Sequence, residues 1–217
     1  MENNAADASQ DMINTELKRG AFKLQNEEYE EAGKIFENLA ITHDIPTAWV
    51  CLGGIKLHQL DSGKTKVQQA INCFNRAVEL NPDSKGQYQE TYSNVSLQQI
   101  EKFRNYYLET KQHEKKAKRG RFWNAALMGA AIGYGNQRTN SSNSVFRGTA
   151  GVAGAAYAID RMNKNSMQKQ EAKNLLPFYQ EIIKQLVEGV RSYCSDNLTV
   201  YQEFLNKTNQ LNLAAFI

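Results

Sequence analysis

The segment Asp61-Ser62-Gly63-Lys64-Thr65 ends as a phosphate-binding loop ends, with a lysine to meet phosphate and a hydroxyl to meet Mg²⁺. That chemistry also needs a glycine five residues before Gly63, where the backbone must approach the phosphates. The position holds His58, and no strand precedes it. Gly148, Gly151 and Gly154 stand three apart, which is not the dinucleotide-binding spacing. His43, His58 and His113 have no His or Cys at ligand spacing, so a metal site is not expected. No Ser or Cys sits in a nucleophile-elbow context. Glu27, Glu28, Glu30 and Glu31 cluster as a solvated helix face does. Residue types and spacing therefore argue against an enzyme, and no cofactor is implied.

Charge sets a second boundary. The net charge is +3, too mild to imply nucleic acid, although Lys115, Lys116, Lys118, Arg119 and Arg121 form one basic run. That run has the character of a solvated helix end, and no aromatic ladder surrounds it. Cys51, Cys73 and Cys194 are odd in number and far apart, which fits reduced thiols in a cytoplasm-like compartment and not a disulfide framework. The polar N-terminal stretch has no secretory pattern, and no run of about eighteen apolar residues offers an ordinary single-pass membrane helix.

The elements that would carry any site are helical. Hydrophobic residues make up 41% of the 217 and only 3 prolines interrupt them, so long helices around a sizeable core are expected. Residues 1–11 read as a loose tail. From Asn14 to Leu80 apolar residues recur at helical spacing, with breaks at His43–Pro46 and Asp61–Thr65. Pro82–Gly86 is a stop. A long helix follows from Gln87 to about Lys118, with Tyr88, Tyr92, Val95, Phe103 and Tyr106 as its stripe. Leu175, Tyr179, Ile182, Leu186, Val190 and Tyr193 make a second stripe, with Pro177 near its start. The fold class is all-α, in two parts: 1–118, and 119–217.

Between the stripes the composition turns small. Ala125, Gly129 and Gly133 fall four apart, as do Ala150, Gly154 and Ala158, with the polar linker Asn136–Ser144 between the two sets. Four-residue spacing puts small residues on one helix face, where backbones approach closely. These six positions are the expected self-association surface, giving a homo-oligomer. The pattern is similar to the glycine-zipper hairpins of some bacterial membrane-associated proteins. Each segment is about 20 Å long as a helix against a hydrocarbon core of about 30 Å, so unaided spanning is poor. Contact with a membrane through 115–160 is the alternative reading, beside packing within a helical assembly and a glycine-rich linker.

Two copies of one pattern lie in the first part. Trp49-Val50-Cys51-Leu52-Gly53 is followed by Ala70, Phe74, Ala77 and Pro82; upstream stand Gly20, Tyr29, Glu30, Glu31, Ala32, Phe36 and Leu39. Over residues 14–84 this resembles the tetratricopeptide repeat family, with about five extra residues in the second inter-helix turn by the family's 34-residue period. The helix 87–118 lacks the signature and reads as a cap or half of a decayed repeat. The resemblance implies antiparallel helix pairs, small residues where they touch, and large ones such as Trp49 and Phe74 buried between them. It also implies a concave face that binds peptides or helices, carried here by Leu17, Ala21, Leu24 and Gln25, then Thr47, Val50, Gly54, Leu57 and His58. Leu17, Ala21, Val50 and Gly54 stand where the family's carboxylate clamp would need Lys and Asn. An apolar groove for a helix or apolar peptide is the expectation instead. The protein reads as a cytoplasmic adaptor for a protein or peptide partner, with no nucleic acid. The alternative is a membrane-associated or membrane-inserting protein that assembles through its glycine-rich hairpin. The chain's own later helices filling the groove is the competing reading of the same surface.

Overall fold

The computed structural model describes residues 2–60, 66–135 and 174–213, and among them there is no strand. The helices are α1 (Glu2–Gln25), α2 (Tyr29–His43), α3 (Pro46–His58), α4 (Val67–Leu80), α5 (Lys85–Gly135), α6 (residues 174–193) and α7 (Leu198–Gln210). The chain is all-α, as its periodicity requires. Residues 2–11 are helical and not a loose tail: α1 begins at Glu2, where Ala5, Ala6, Ala8 and Gln10 are good helix formers.

Local chemistry sets the breaks. Between α1 and α2, Glu27 takes a left-handed conformation with φ 59°, which reverses the chain within three residues. Asp44, also left-handed at φ 49°, closes α2 by donating its N–H to the Ala40 carbonyl. Pro46 then holds Ile45 extended and opens α3 as its first residue. The Asp44 carboxylate meets Arg76 of α4 at 3.0 Å, tying that corner to the next helix. The α4 start is capped by Gln69 Oε1, which accepts from the Lys66 N–H at 3.1 Å. A 3₁₀ turn at Pro82–Ser84 leads into α5.

The chain divides into two compact units, Met1–Phe103 with Glu181–Ile217, and Arg104–Gln180. The sequence places a boundary at 118/119; the units divide at 103/104 and 180/181 instead. The physical reason is in the first unit, where α6 returns to the start of α5.

Within that unit α1 and α2 pack as one antiparallel pair and α3 and α4 as another, with α2 against α3. Each pair closes on a glycine and a phenylalanine ring. A Cβ at Gly20 would stand 2.7 Å from Phe36 Cζ, and one at Gly53 2.7 Å from Phe74 Cδ2. Only a hydrogen fits at either place. The two contacts are sixteen and twenty-one residues apart in sequence, a difference equal to the extra turn length read from the sequence. Phe36 and Phe74 are almost fully buried, with Ala32, Ala40, Ala70 and Ala77 beside them. Trp49 is only half-buried; it packs on the cluster formed by α2 and α3.

The third pairing joins α5 to α6, and the sizes are reversed. The large residue, Tyr92, is on α5, and the glycine, Gly189, is on α6. Phe74, Tyr92 and Tyr193 form an aromatic cluster with centroids 5.0–6.0 Å apart. Below it Gln89, only 2% exposed, donates to the Tyr193 carbonyl at 2.9 Å and to Asp196 Oδ1 at 2.6 Å. Its own Oε1 accepts from Asn197 at 3.2 Å, and Lys85 pairs with Asp196. The Cys194 thiol donates to the Gln89 carbonyl at 3.6 Å. Burial of this corner pushes that thiol up to about 12. Asn197 then caps α7, accepting from the Val200 N–H at 3.3 Å.

The expected stripes hold at their centres, while Val95 on α5 and Leu175 and Tyr179 on α6 are half-buried. Tyr88, Tyr92 and Phe103 are buried, but Tyr106 is exposed and Tyr107 is buried in its place. On α6 Ile182, Ile183, Leu186, Val190 and Cys194 are buried, and Tyr193 is half-buried.

Candidate docking surface

Four helices, α1, α2, α3 and α5, supply the surfaces on which a partner could settle. The face of α1 and α3 expected to be an apolar groove is smaller and less apolar than its sequence suggests. Leu17 and Leu24 are half-buried because they pack against the cluster of Ile35, Phe36 and Leu52. Ala21, Gln25 and Thr47 are exposed, and Val50 is half-buried. Gly54 meets open space: nothing lies within 4 Å of where its Cβ would be. Leu57 is fully buried, which corrects its placement on an accessible groove. Next to it, Gln99 of α5 reaches His58, its Nε2 lying 3.0 Å from Nδ1.

His58 is engaged on its other side too. Its ring stacks on Tyr29 of α2 at 4.6 Å between centroids and 14° between planes. This stack borders an open groove of about 800 Å³ between α2, α3 and Lys102 of α5. Gly33 and the buried Leu52 and Ile55 form its floor, and a Cβ at Gly33 would meet only Ile55 Cγ2, at 3.7 Å. Glu27, Glu28, Glu30, Glu31 and Glu37 stand around it, against Lys34, Lys56 and Lys102. Lys23 neutralises part of that charge by pairing with Glu28 and, at 2.6 Å, with Glu31. Its hydrogen bonds hold Glu31 below the ordinary carboxyl range. Burial, then the charge of Glu27, pushes the Tyr29 hydroxyl up.

Of the residues expected to bind a partner, His58 alone lines this groove. The glutamates were legible as a helix face, but their convergence on a groove depends on how α2 leans on α3. Tyr29 and Gly33 were legible only as repeat residues.

Other expected positions are more simply placed. Residues 125, 129 and 133 lie in α5 on one helical face. Residues 150, 154 and 158 lie outside the described residues, as do 61–65. Among the described residues, no group of three His, Cys, Asp or Glu is placed to hold a metal, and no helix is long and apolar enough to cross a membrane. Compared with known proteins, the chain matches no family model, no curated protein and no solved structure.

Proposed function

We propose that this protein is a protein–protein interaction adaptor of the tetratricopeptide type, which seats a helix or peptide of its partner on the first unit. The observation that carries the reading is the groove of about 800 Å³ beside the Tyr29–His58 stack. Its floor is formed by Leu52 and Ile55, and more glutamates than lysines stand around it. A peptide that alternates apolar residues with Lys or Arg complements both features. The open face at Gly54 and Ala21 is a second place where a helix could approach closely, since neither residue presents bulk. Self-association through the face of positions 125, 129 and 133 belongs to the same reading.

Site-specific photocrosslinking tests it. A photoreactive residue is placed at Glu37 in the groove, at Gly54 on the open face and at Glu79 as an exposed control. Adducts with a single partner from position 37, and not from 79, are expected. Adducts from 54 alone would move the seat to the face of α1 and α3. The same background at all three positions would overturn the adaptor reading.

A further inference from the structure

The positive charge of this chain is concentrated in one place. Lys115, Lys116, Lys118, Arg119 and Arg121 are five cations within seven positions, more than the whole net charge of +3. The rest of the chain is therefore net acidic. All five positions lie inside α5, and the Lys115 and Lys116 side chains are exposed. At about 100° per residue these positions spread round most of the helix circumference, as a collar and not as a stripe. The helix does not end there. It continues to Gly135, and residues 122–135, beginning Phe122-Trp123, carry no charge at all.

A solvated helix end needs no such continuation. Nucleic acid would use the collar, but offers nothing to an uncharged helical stretch of four Ala and three Gly with Phe122, Trp123, Leu127, Met128 and Ile132. A lipid surface uses both. Anionic headgroups neutralise a cluster of Lys and Arg, Trp and Phe settle at the interface, and apolar residues beyond them reach the acyl boundary. The stretch 122–135 is about 21 Å long as a helix, short of the roughly 30 Å hydrocarbon core, so it does not cross, and lying oblique to the surface it stays within one leaflet.

We propose that α5 docks on an anionic lipid surface, with the collar 115–121 at the headgroups and Trp123 at the headgroup–acyl boundary. This uses no residue of the groove, and it gives to lipid the stretch that holds positions 125, 129 and 133 of the self-association face.

The test uses the full chain and vesicles of phosphatidylcholine with or without phosphatidylglycerol. Flotation with the anionic vesicles only, weakened by salt, is expected. In a Trp49→Phe background, Trp123 is the remaining tryptophan, and its emission should shift to the blue on those vesicles. Neutralising Lys115, Lys116 and Lys118 together to Gln should weaken binding about a hundredfold, at about 1 kcal/mol per cation and 1.4 kcal/mol per factor of ten. Circular dichroism of that variant checks that the helices remain. Three results would each overturn the proposal: no flotation with anionic vesicles, flotation untouched by the triple substitution, or a Trp123 emission that does not move. Binding to duplex or single-stranded nucleic acid without vesicle binding would reassign the collar. A chain that only self-associates would assign 122–135 to contacts between copies.

Discussion

Gly189 on α6 faces the hydroxyl of Tyr92 on α5. A Cβ there would overlap the hydroxyl oxygen and stand 3.1 Å from Val67 Cγ1. The Tyr92 hydroxyl is itself buried, with only Ser96 near enough to interact and no hydrogen bond of good geometry, and burial pushes its pKa far up. Gly189→Ala should therefore cost about 1–3 kcal/mol by overpacking. Tyr92→Phe should be close to neutral, because it removes an unsatisfied buried group and not a bond. Combining the two should recover part of the Gly189→Ala loss, the Val67 contact keeping the rest. Urea unfolding of all four proteins measures the coupling, and strict additivity would refute the contact.

Adjacent glycines on α3 should respond with opposite signs. Gly53→Ala drives a methyl into the Phe74 ring, and about 1–3 kcal/mol of destabilisation is expected. Gly54→Ala meets nothing and gains helix propensity, worth up to about 1 kcal/mol of stabilisation. Gly20→Ala should behave as Gly53→Ala, since Phe36 stands in the same relation to it. Midpoints of urea unfolding decide each case.

Those two pairs also show how far the sequence could be read. Helical spacing placed Gly20, Phe36, Gly53 and Phe74 on helices, as small and large residues of successive pairs, but which glycine faces which ring was seen only in the structure. Leu57 shows the limit. Its position on the face of α3 was legible, but periodicity does not say which apolar face tertiary packing covers. The pairing of Gln89 with residues 193–197 was not legible at all, since a glutamine among polar neighbours carries no pattern. Nor was the groove, whose glutamates are unremarkable until α2 and α3 converge.

Gln89→Ala should be among the most costly polar substitutions in the chain. It would leave the Tyr193 carbonyl and the Asn197 amide without their partner, at about 2–4 kcal/mol. The turn it holds also covers Cys194, so alkylation of that thiol by iodoacetamide should accelerate in the variant. An unchanged alkylation rate would show that the turn is held by other contacts. Because the first unit closes on itself at this corner, replacing 104–180 by a short Gly-Ser linker should leave it folded, with the Tyr92–Tyr193 cluster intact by near-ultraviolet dichroism.

Asp196 adds a pH dependence. Hydrogen bonds from Lys85, and then from Gln89, hold its carboxyl below the ordinary value. A depressed folded-state pKa stabilises the fold above the unfolded value, near 3.9, and that contribution drains as the pH falls through the folded value. Asp196→Asn should thus be the less stable protein at pH 7, with the difference shrinking below about pH 4. The effect should be small, since the carboxylate is half exposed to solvent. Unfolding midpoints for both proteins across that range provide the check, and a gap that widens in acid would contradict the assignment.

The closure of Gln89 on Asp196, 107 positions away in sequence, has a consequence for synthesis. The first two hairpins join neighbours in sequence and can form as they leave the ribosome. The face of α5 around Tyr92 cannot be covered until α6 has been made, and at about 5–20 residues per second that delay is roughly 5–20 s. For that interval a nascent chain presents an uncovered aromatic surface on a finished pair of hairpins, and this is the period in which a chaperone would find something to hold.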